Sequence, residues 1–507
     1  MKLKTFPLAA LALLAGLAAC GEREEQAEPI FAAAVEEIPV STASEAALGF
    51  FREGQRLADA GRILEARRAF IQATEADPGF ARAYLEVANN ANSTAEFKES
   101  MDHAQMHVEE ASEGERLLVG INMAFFDNDV ESALALAKEL VEEYPASPRA
   151  YLSLAAVFGA LNSNQEAREE LRRALELDPQ MAVAHTNLGN SYLYAEPKDF
   201  ELAAQHFRAV VQLTPNEPQA HVNLGDAYRG GGNLEGARAE YARAAELDPG
   251  NQKSIYSIAV LKRGHVNSFL GNYEEARSDY DQALAVAKPE QKSFYANYRA
   301  FTWVHGGEPA TAIQELQKLV ETAAEVTPPD QVNAAKIFAL TNIAQIAMHH
   351  GMNDVAEQAI GQRNALVMAD AEATGRQDFI RGQQAANAYW MGLAAARRGD
   401  FTTAVEKAQE NADLLQQDAN PRKLEPYNDL LGLVALLQGD YAKAIEHYER
   451  GNPNDIYVKY HLGLAYEGAG NTGEAQRIFR YVFENNFNSV GYALVREEAE
   501  RKIAVVS

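Results

Sequence analysis

The chain has one cysteine, Cys20, in 507 residues. That excludes an intramolecular disulfide and a cysteine-based metal cluster. Basic residues are scarce, with 46 Lys and Arg against 72 Asp and Glu, a formal charge of −26. A phosphate backbone needs a basic face, so nucleic acid is excluded as the main partner. Docking on an anionic lipid surface by charge is disfavoured on the same ground. No apolar run reaches the ~20 residues of a membrane-spanning helix. Catalytic signatures are also missing: there is no G-x-S-x-G elbow, P-loop, kinase motif or H-E-x-x-H zinc site. Apolar residues nevertheless make up 47% and charged residues 23%, the balance of a folded chain. The length corresponds to roughly three ordinary domains.

The N-terminus has the form of an export signal. Lys2 and Lys4 precede the apolar run Pro7–Ala19, which falls within the ~7–15 residues of a signal's apolar segment. The lone cysteine follows at once, in Leu17-Ala18-Ala19-Cys20-Gly21. This resembles the lipobox of bacterial lipoproteins. The resemblance implies cleavage between Ala19 and Cys20, acylation of Cys20 and a lipid anchor, with the formal charge moving from −26 to −28 as Lys2 and Lys4 leave. Several acyl chains anchor stably where one binds marginally. Gly21, with no Asp at that position, implies a bacterial cell-envelope location at the outer membrane, facing the periplasm. Residues 20–46 are acidic, contain Pro29 and Pro39, and lack a sustained apolar period. They are expected to form a flexible tether, since little apolar area is available to offset ordering entropy.

The remainder repeats. Pro145 and Pro179 stand 34 residues apart, as do Pro215 and Pro249. Within one unit, His221, Leu224 and Tyr228 mark a helical stripe, Gly225 and Ala237 allow close helix approach, and Tyr241 and Ala244 mark a second stripe ended by Pro249. Gly232 and Asn233 are expected to share a left-handed turn between the two helices. An earlier unit supplies Gly54, Ala66, Phe70, Ala73 and Pro78. The pattern Leu224, Gly225, Tyr228, Ala237, Tyr241, Pro249 resembles the tetratricopeptide repeat (TPR). That resemblance implies an all-α, right-handed α-solenoid of about twelve helix pairs, since one pair cannot bury its apolar face alone. Residues 47–251 keep the 34-residue period. Residues 252–489 continue with longer, irregular units whose turn glycines are Gly271, Gly307, Gly351, Gly399, Gly439 and Gly470. Ala81–Glu113 reads as a degenerate unit without the turn glycine. Residues 490–507 form a charged amphipathic capping helix and tail.

Candidate chemistry is thin. Gly468-Ala469-Gly470-Asn471-Thr472-Gly473 matches a dinucleotide fingerprint literally, but follows helical residues rather than a strand and belongs to an inter-helix turn. His103 and His107 stand one turn apart beside an apolar stripe, and His349-His350 cannot share a helical face. No metal, cofactor or small-molecule cofactor site is expected. The TPR resemblance points to the concave surface, where part of the family uses an Asn before the Leu-Gly pair to bond a peptide backbone. Asn187 and Asn223 hold that place, Asn190 and Tyr194 continue the stripe of Asn187, and Asp226 continues that of Asn223. Asn342 sits similarly before Ile343-Ala344. An amide both donates and accepts, so it pairs with a backbone of any sequence. The lysines of a carboxylate clamp are absent from these two helices, and an acidic chain favours a basic or neutral segment.

The expected function is therefore a non-enzymatic, lipid-anchored scaffold that binds a protein or peptide partner in its groove. The alternative is a ligand-binding lipoprotein, such as a glycan or nutrient receptor of the SusD-like type, with Tyr298, Trp303, Tyr389 and Trp390 as an aromatic platform. Short loops and a regular period favour the scaffold. An enzyme is the third reading, and no motif supports it.

Overall fold

The computed structural model describes residues 36–91, 93–127, 129–418 and 420–504. The segment 1–19 expected to be a signal peptide, the expected lipidation site Cys20 and the expected tether up to residue 35 lie outside the described residues. Among the described residues every regular element is a helix. The first half contains the hairpins α1 (Glu45–Asp59) with α2 (Ile63–Ala76), α3 (Ala81–Asn89) with α4 (Thr94–Met106), α5 (Glu113–Phe126) with α6 (Val130–Glu143), α7 (Pro148–Ala160) with α8 (Asn164–Leu177), α9 (Ala182–Tyr194) with α10 (Phe200–Leu213), and α11 (Pro218–Gly230) with α12 (Leu234–Leu247). The second half contains α13 (Ile255–Phe269) with α14 (Tyr273–Val286), α15 (Pro289–His305) with α16 (Pro309–Val326), α17 (Val332–His349) with α18 (Asn353–Ala373), α19 (Gln377–Arg398) with α20 (Phe401–Leu414), α21 (Glu425–Leu437) with α22 (Tyr441–Tyr448), and α23 (Ile456–Gly468) with α24 (Thr472–Phe483). A last helix, α25 (Val490–Ala504), follows. Twelve pairs and one terminal helix match the all-α solenoid expected from the repeat.

Several hairpins obey a volume rule. Gly54 faces Phe70, Gly189 faces Phe207, Gly225 faces Tyr241 and Gly463 faces Phe479, and a Cβ at any of these glycines would stand 2.6–2.7 Å from the ring. In three others the second helix carries an aliphatic side chain and the first an alanine: Ala155 with Leu171, Ala300 with Leu316, Ala344 with Ile360, all buried. A close-packed interior forces this exchange of volume between facing positions.

The turns behave as their glycines demand. Gly232 has φ of +81°, and the six turn glycines of the second half lie between +70° and +87°. Asn233 departs from expectation: its φ is −79°, and its side chain caps α12 by accepting the Gly236 N–H. It serves the helix start, not the left-handed turn. The irregular spacing of the second half comes mainly from helix length, and between Gly399 and Gly439 from the connection 415–424. Helices α16 to α19 run 18, 18, 21 and 22 residues, against 13–14 for α5 to α12.

Helix α25 packs on α24, as a cap should, and also reaches α15, α17 and α23. Tyr492, Val495 and Ala499 form an i, i+3, i+7 stripe that is fully buried, so the charged sequence hides a complete apolar edge. The preceding loop hooks onto the middle of the chain. Arg229 Nη1 on α11 donates to the Asn486 carbonyl at 3.1 Å, and its guanidinium lies 4.8 Å from the Phe487 ring centroid. Asn488 reaches Tyr280 and His265. The chain from α11 onward therefore closes on itself. Among the described residues no helix is long and apolar enough to cross a membrane.

Candidate functional site

Helices α1, α3, α5, α7 and α9, the first helices of five successive pairs, line one cavity of about 700 Å³. Helix α1 touches α9, and Arg149 on α7 pairs with Asp59 on α1 at 2.6 Å. The cavity is thus on the inside of a superhelical turn, and Asn187, Asn190, Tyr194, Asn223 and Asp226 are not among its lining residues.

An extended peptide already lies there, and it belongs to the chain itself. Residues 36–40 form one wall. The Glu36 N–H donates to the Ala146 carbonyl at 3.2 Å, Ser112 Oγ donates to the Pro39 carbonyl at 2.7 Å, and the Ser41 N–H donates to Glu115 Oε2 at 2.9 Å. Thr42 Oγ1 donates to Asp77 Oδ2 at 2.5 Å. Ile38 packs on Gly114, where any Cβ would collide with it. The flexible tether expected through residue 46 is therefore corrected from Glu36 onward. Ile38 and Val40 are anchors, and two apolar residues are too few to register as a period.

Glu115 holds this arrangement together. It is fully buried, and its Oε2 also accepts the Ser112 N–H at 3.0 Å, completing a capping box at the start of α5. A capping box reserves a Glu at the third helical position; here that Glu grips a peptide as well. Its other oxygen, Oε1, and Arg82 Nε are buried without a partner among the described residues, and both residues line the cavity. Polar atoms left so are costly.

The candidates from the sequence divide into two groups. Asn187 is exposed and Asn190 and Asn223 are half-buried, on helices α9 and α11, which touch. Asn223 Oδ1 accepts from Gln219 Nε2 at 2.7 Å. Tyr194 is 58% exposed; the surrounding protein and then the Asp226 carboxylate push its phenol up to about 12. Asp226 itself is 3% exposed. Its carboxylate accepts from Arg229 Nη2 at 3.2 Å and from Tyr241 Oη at 2.7 Å, and pairs with Lys262. It is committed to an internal network. Asn342 is likewise buried and donates to Asn297 Oδ1 at 2.8 Å. Sequence reasoning missed Arg229, Glu115 and Arg82. The i, i+3 pairing of Asp226 with Arg229 was the available signal for the first, and the S-x-x-E pattern of Ser112 and Glu115 for the second.

Other groups marked in the sequence have structural roles. His103 and His107 stack on Tyr84. The glycine-rich match at 468–473 is the α23–α24 turn, with Asn471 capping α24. Trp303 Nε1 donates to Glu315 at 2.6 Å and Arg277 stacks on its ring at 3.9 Å. Among the described residues no group of three His, Cys, Asp or Glu side chains could hold a metal ion.

Two buried histidines make stability depend on pH. Burial lowers His305 from 6.5 to about 4; burial and then Arg397 lower His461 to about 3. Both rings stay neutral in the folded chain while the unfolded chain takes up protons below 6.5. Their contribution is present above 6.5 and is lost as pH falls toward 4 and 3. At pH 5 the loss is about 2 kcal/mol per ring. Urea titrations at pH 7 and pH 5 should show a steeper decline for the wild type than for a His305→Gln, His461→Gln double variant. Equal declines would contradict the assignment.

Profiles of the tetratricopeptide repeat match residues 51–115, 124–182, 186–252 and 259–289. No curated protein sequence matches. Similar solved structures include MamA 41-end from Desulfovibrio magneticus RS-1, at 21% identity, covering 34% of this chain and 94% of that chain with a TM-score of 0.31. TTC0263, a thermophilic TPR protein of Thermus thermophilus, is 21% identical and covers 43% of this chain and 100% of that chain with a TM-score of 0.27. Yeast Tom70 is 12% identical and covers 91% of this chain and 96% of that chain with a TM-score of 0.36. With the repeat matched from residue 51 to 289 and the same hairpin continued to Phe483, the chain is a tetratricopeptide repeat protein.

Proposed function

We propose that this chain is a non-enzymatic interaction scaffold, held by a lipid at Cys20 in a bacterial cell envelope, that binds an extended segment of a partner protein in the groove of its first half. Repeat solenoids expose long concave surfaces for this use, and the fold is typically non-catalytic. The observation that carries the reading is the chain's own segment 36–44, held in the groove by main-chain hydrogen bonds to Ser112, Glu115 and Ala146. A groove that grips one backbone through side-chain acceptors and donors suits another, and Asn187 on α9 and Asn223 on α11 add amides that can both donate and accept.

Affinity capture from gently solubilised envelopes tests this, comparing wild type with an Asn187→Ala, Asn223→Ala double variant. One partner recovered in near-equal amount, and lost from the variant, is the expected result. A partner retained by the variant removes these residues from the site. For the anchor, Cys20→Ser should move the protein from the membrane to the soluble fraction; an unchanged distribution would end the lipoprotein reading.

A further inference from the structure

A second cavity, of about 140 Å³, lies among α17, α19, α21 and α23, the first helices of the last four pairs. Three charged side chains line it: Asp429 on α21, Arg397 on α19 and Asp455, whose Oδ1 already accepts the Tyr457 and Val458 N–H groups as the cap of α23. Asp429 is 6% exposed. Its Oδ1 accepts the Asn452 N–H at 3.0 Å, and among the described residues no cation pairs with it. Burial raises its carboxyl to about 7, and Asp455 and Glu425 add to the effect. Arg397 donates from Nη2 to Tyr457 Oη and to His461 Nε2, both at 2.8 Å. The His461 Nδ1–H donates to the Tyr457 carbonyl at 2.7 Å, so Nε2 is a neutral acceptor and supplies no counter-charge. Among the described residues no carboxylate lies at ion-pair distance from Arg397.

A third group is unpartnered. Tyr448 is 4% exposed, and its buried hydroxyl has no hydrogen-bond partner among the described residues. The equivalent tyrosines of two earlier pairs do have one: Tyr241 Oη donates to Asp226 at 2.7 Å, and Tyr280 Oη meets His265 Nδ1 at 2.7 Å. Asp226 and His265 each directly follow the small residue that faces the ring. At Tyr448 that place belongs to Leu433, which lines the cavity. Tyr389, Trp390 and Tyr457 form the walls and are partly exposed, so the cavity opens to solvent.

We propose that this cavity binds a small amino acid as its zwitterion, with the ammonium group on Asp429 and Tyr448 and the carboxylate on Arg397. A lone cation would leave Arg397 without a counter-charge, and a lone anion would leave Asp429 so; a zwitterion matches both. Aromatic walls favour an ammonium group further. The volume is below half of the roughly 300 Å³ at which ordinary ligand pockets begin, which restricts the ligand to glycine, alanine or serine size. This site is separate from the peptide groove of the first half and stands or falls without it.

Isothermal titration of the whole chain with glycine, L-alanine and L-serine tests the proposal, with methylamine, acetate and glycine betaine as probes of each half. Saturable binding of at least one amino acid is expected, with none for methylamine or acetate alone. Asp429→Asn, which keeps the acceptor for Asn452, should abolish it. Tyr448→Phe should weaken binding about tenfold while the ligand-free protein unfolds at or above the wild-type urea midpoint, because an unsatisfied hydroxyl has been removed. Three results would overturn the proposal: no saturable heat with any of the three amino acids, undiminished binding by Asp429→Asn, or tighter binding of betaine, whose quaternary nitrogen cannot donate to Asp429.

Discussion

Replacing Arg229 with leucine is expected to cost about 3–5 kcal/mol, the range for breaking a buried, hydrogen-bonded charge pair. The residue is 7% exposed. Its guanidinium serves four groups at once: Tyr241 Oη at 3.2 Å, Asp226 Oδ1 at 3.2 Å, the Asn486 carbonyl at 3.1 Å and the face of Phe487. Leucine would keep most of the volume but leave the Asn486 carbonyl without its donor and Asp226 with only Lys262 and Tyr241. The planar fork also predicts that Arg229→Lys fails to rescue, since a point charge cannot meet three acceptors in that geometry. Urea unfolding measures the cost, and limited proteolysis should find new cleavage between Glu484 and Ser489. A change below ~1 kcal/mol, with that loop still protected, would show that the hook is ornamental.

The second large effect concerns α25. Ending the chain before Val490 removes four large buried side chains, Val490, Tyr492, Leu494 and Val495, and strips cover from α15, α17, α23 and α24. At about 1.5–3 kcal/mol each, the loss is roughly 6–12 kcal/mol, comparable to the whole stability of an ordinary domain. Solenoid repeats couple to their neighbours, so damage at one end need not spread to the other. The truncated chain should therefore melt in two steps, with pairs α13–α24 lost first and pairs α1–α10 near their original temperature. Hydrogen exchange would assign the steps. A single transition at the wild-type temperature would mean that α25 is dispensable.

What could be read in the sequence is what repeats over short range. A glycine that must adopt positive φ, such as Gly232 or Gly399, announces a turn wherever it stands, and the Gly225–Tyr241 contact lies within one hairpin. Contacts without a period were invisible. Ile38 and Val40 anchor residues 36–44, yet two apolar residues in an acidic stretch look like tether. Asp226 shares a stripe with Asn223 and so looked like a groove residue; Lys262 from the next pair and Arg229, steadied by Asn486, draw it inside instead. The charged residues of α25 suggested a polar cap, because Tyr492, Val495 and Ala499 form a narrow stripe among them. The cavity at Asp429 gathers its charges from α19, α21 and the cap of α23 and has no motif at all; only the leucine at position 433, where two sister repeats carry Asp226 and His265, marks it.

The hook of Asn486 on Arg229 spans 257 residues, and that distance is also a delay. Synthesis at roughly 5–20 residues per second separates the two by about 13–50 s. Hairpins of the first half can pack as they emerge, each against the last, because their contacts are local. From α11 onward the chain must wait with Arg229 unhooked and the beds of α15, α17 and α23 uncovered until its final helix exists. During that interval the nascent second half presents its largest apolar surface, so a chaperone that binds exposed apolar segments would find its main substrate there, and release would coincide with the arrival of Tyr492.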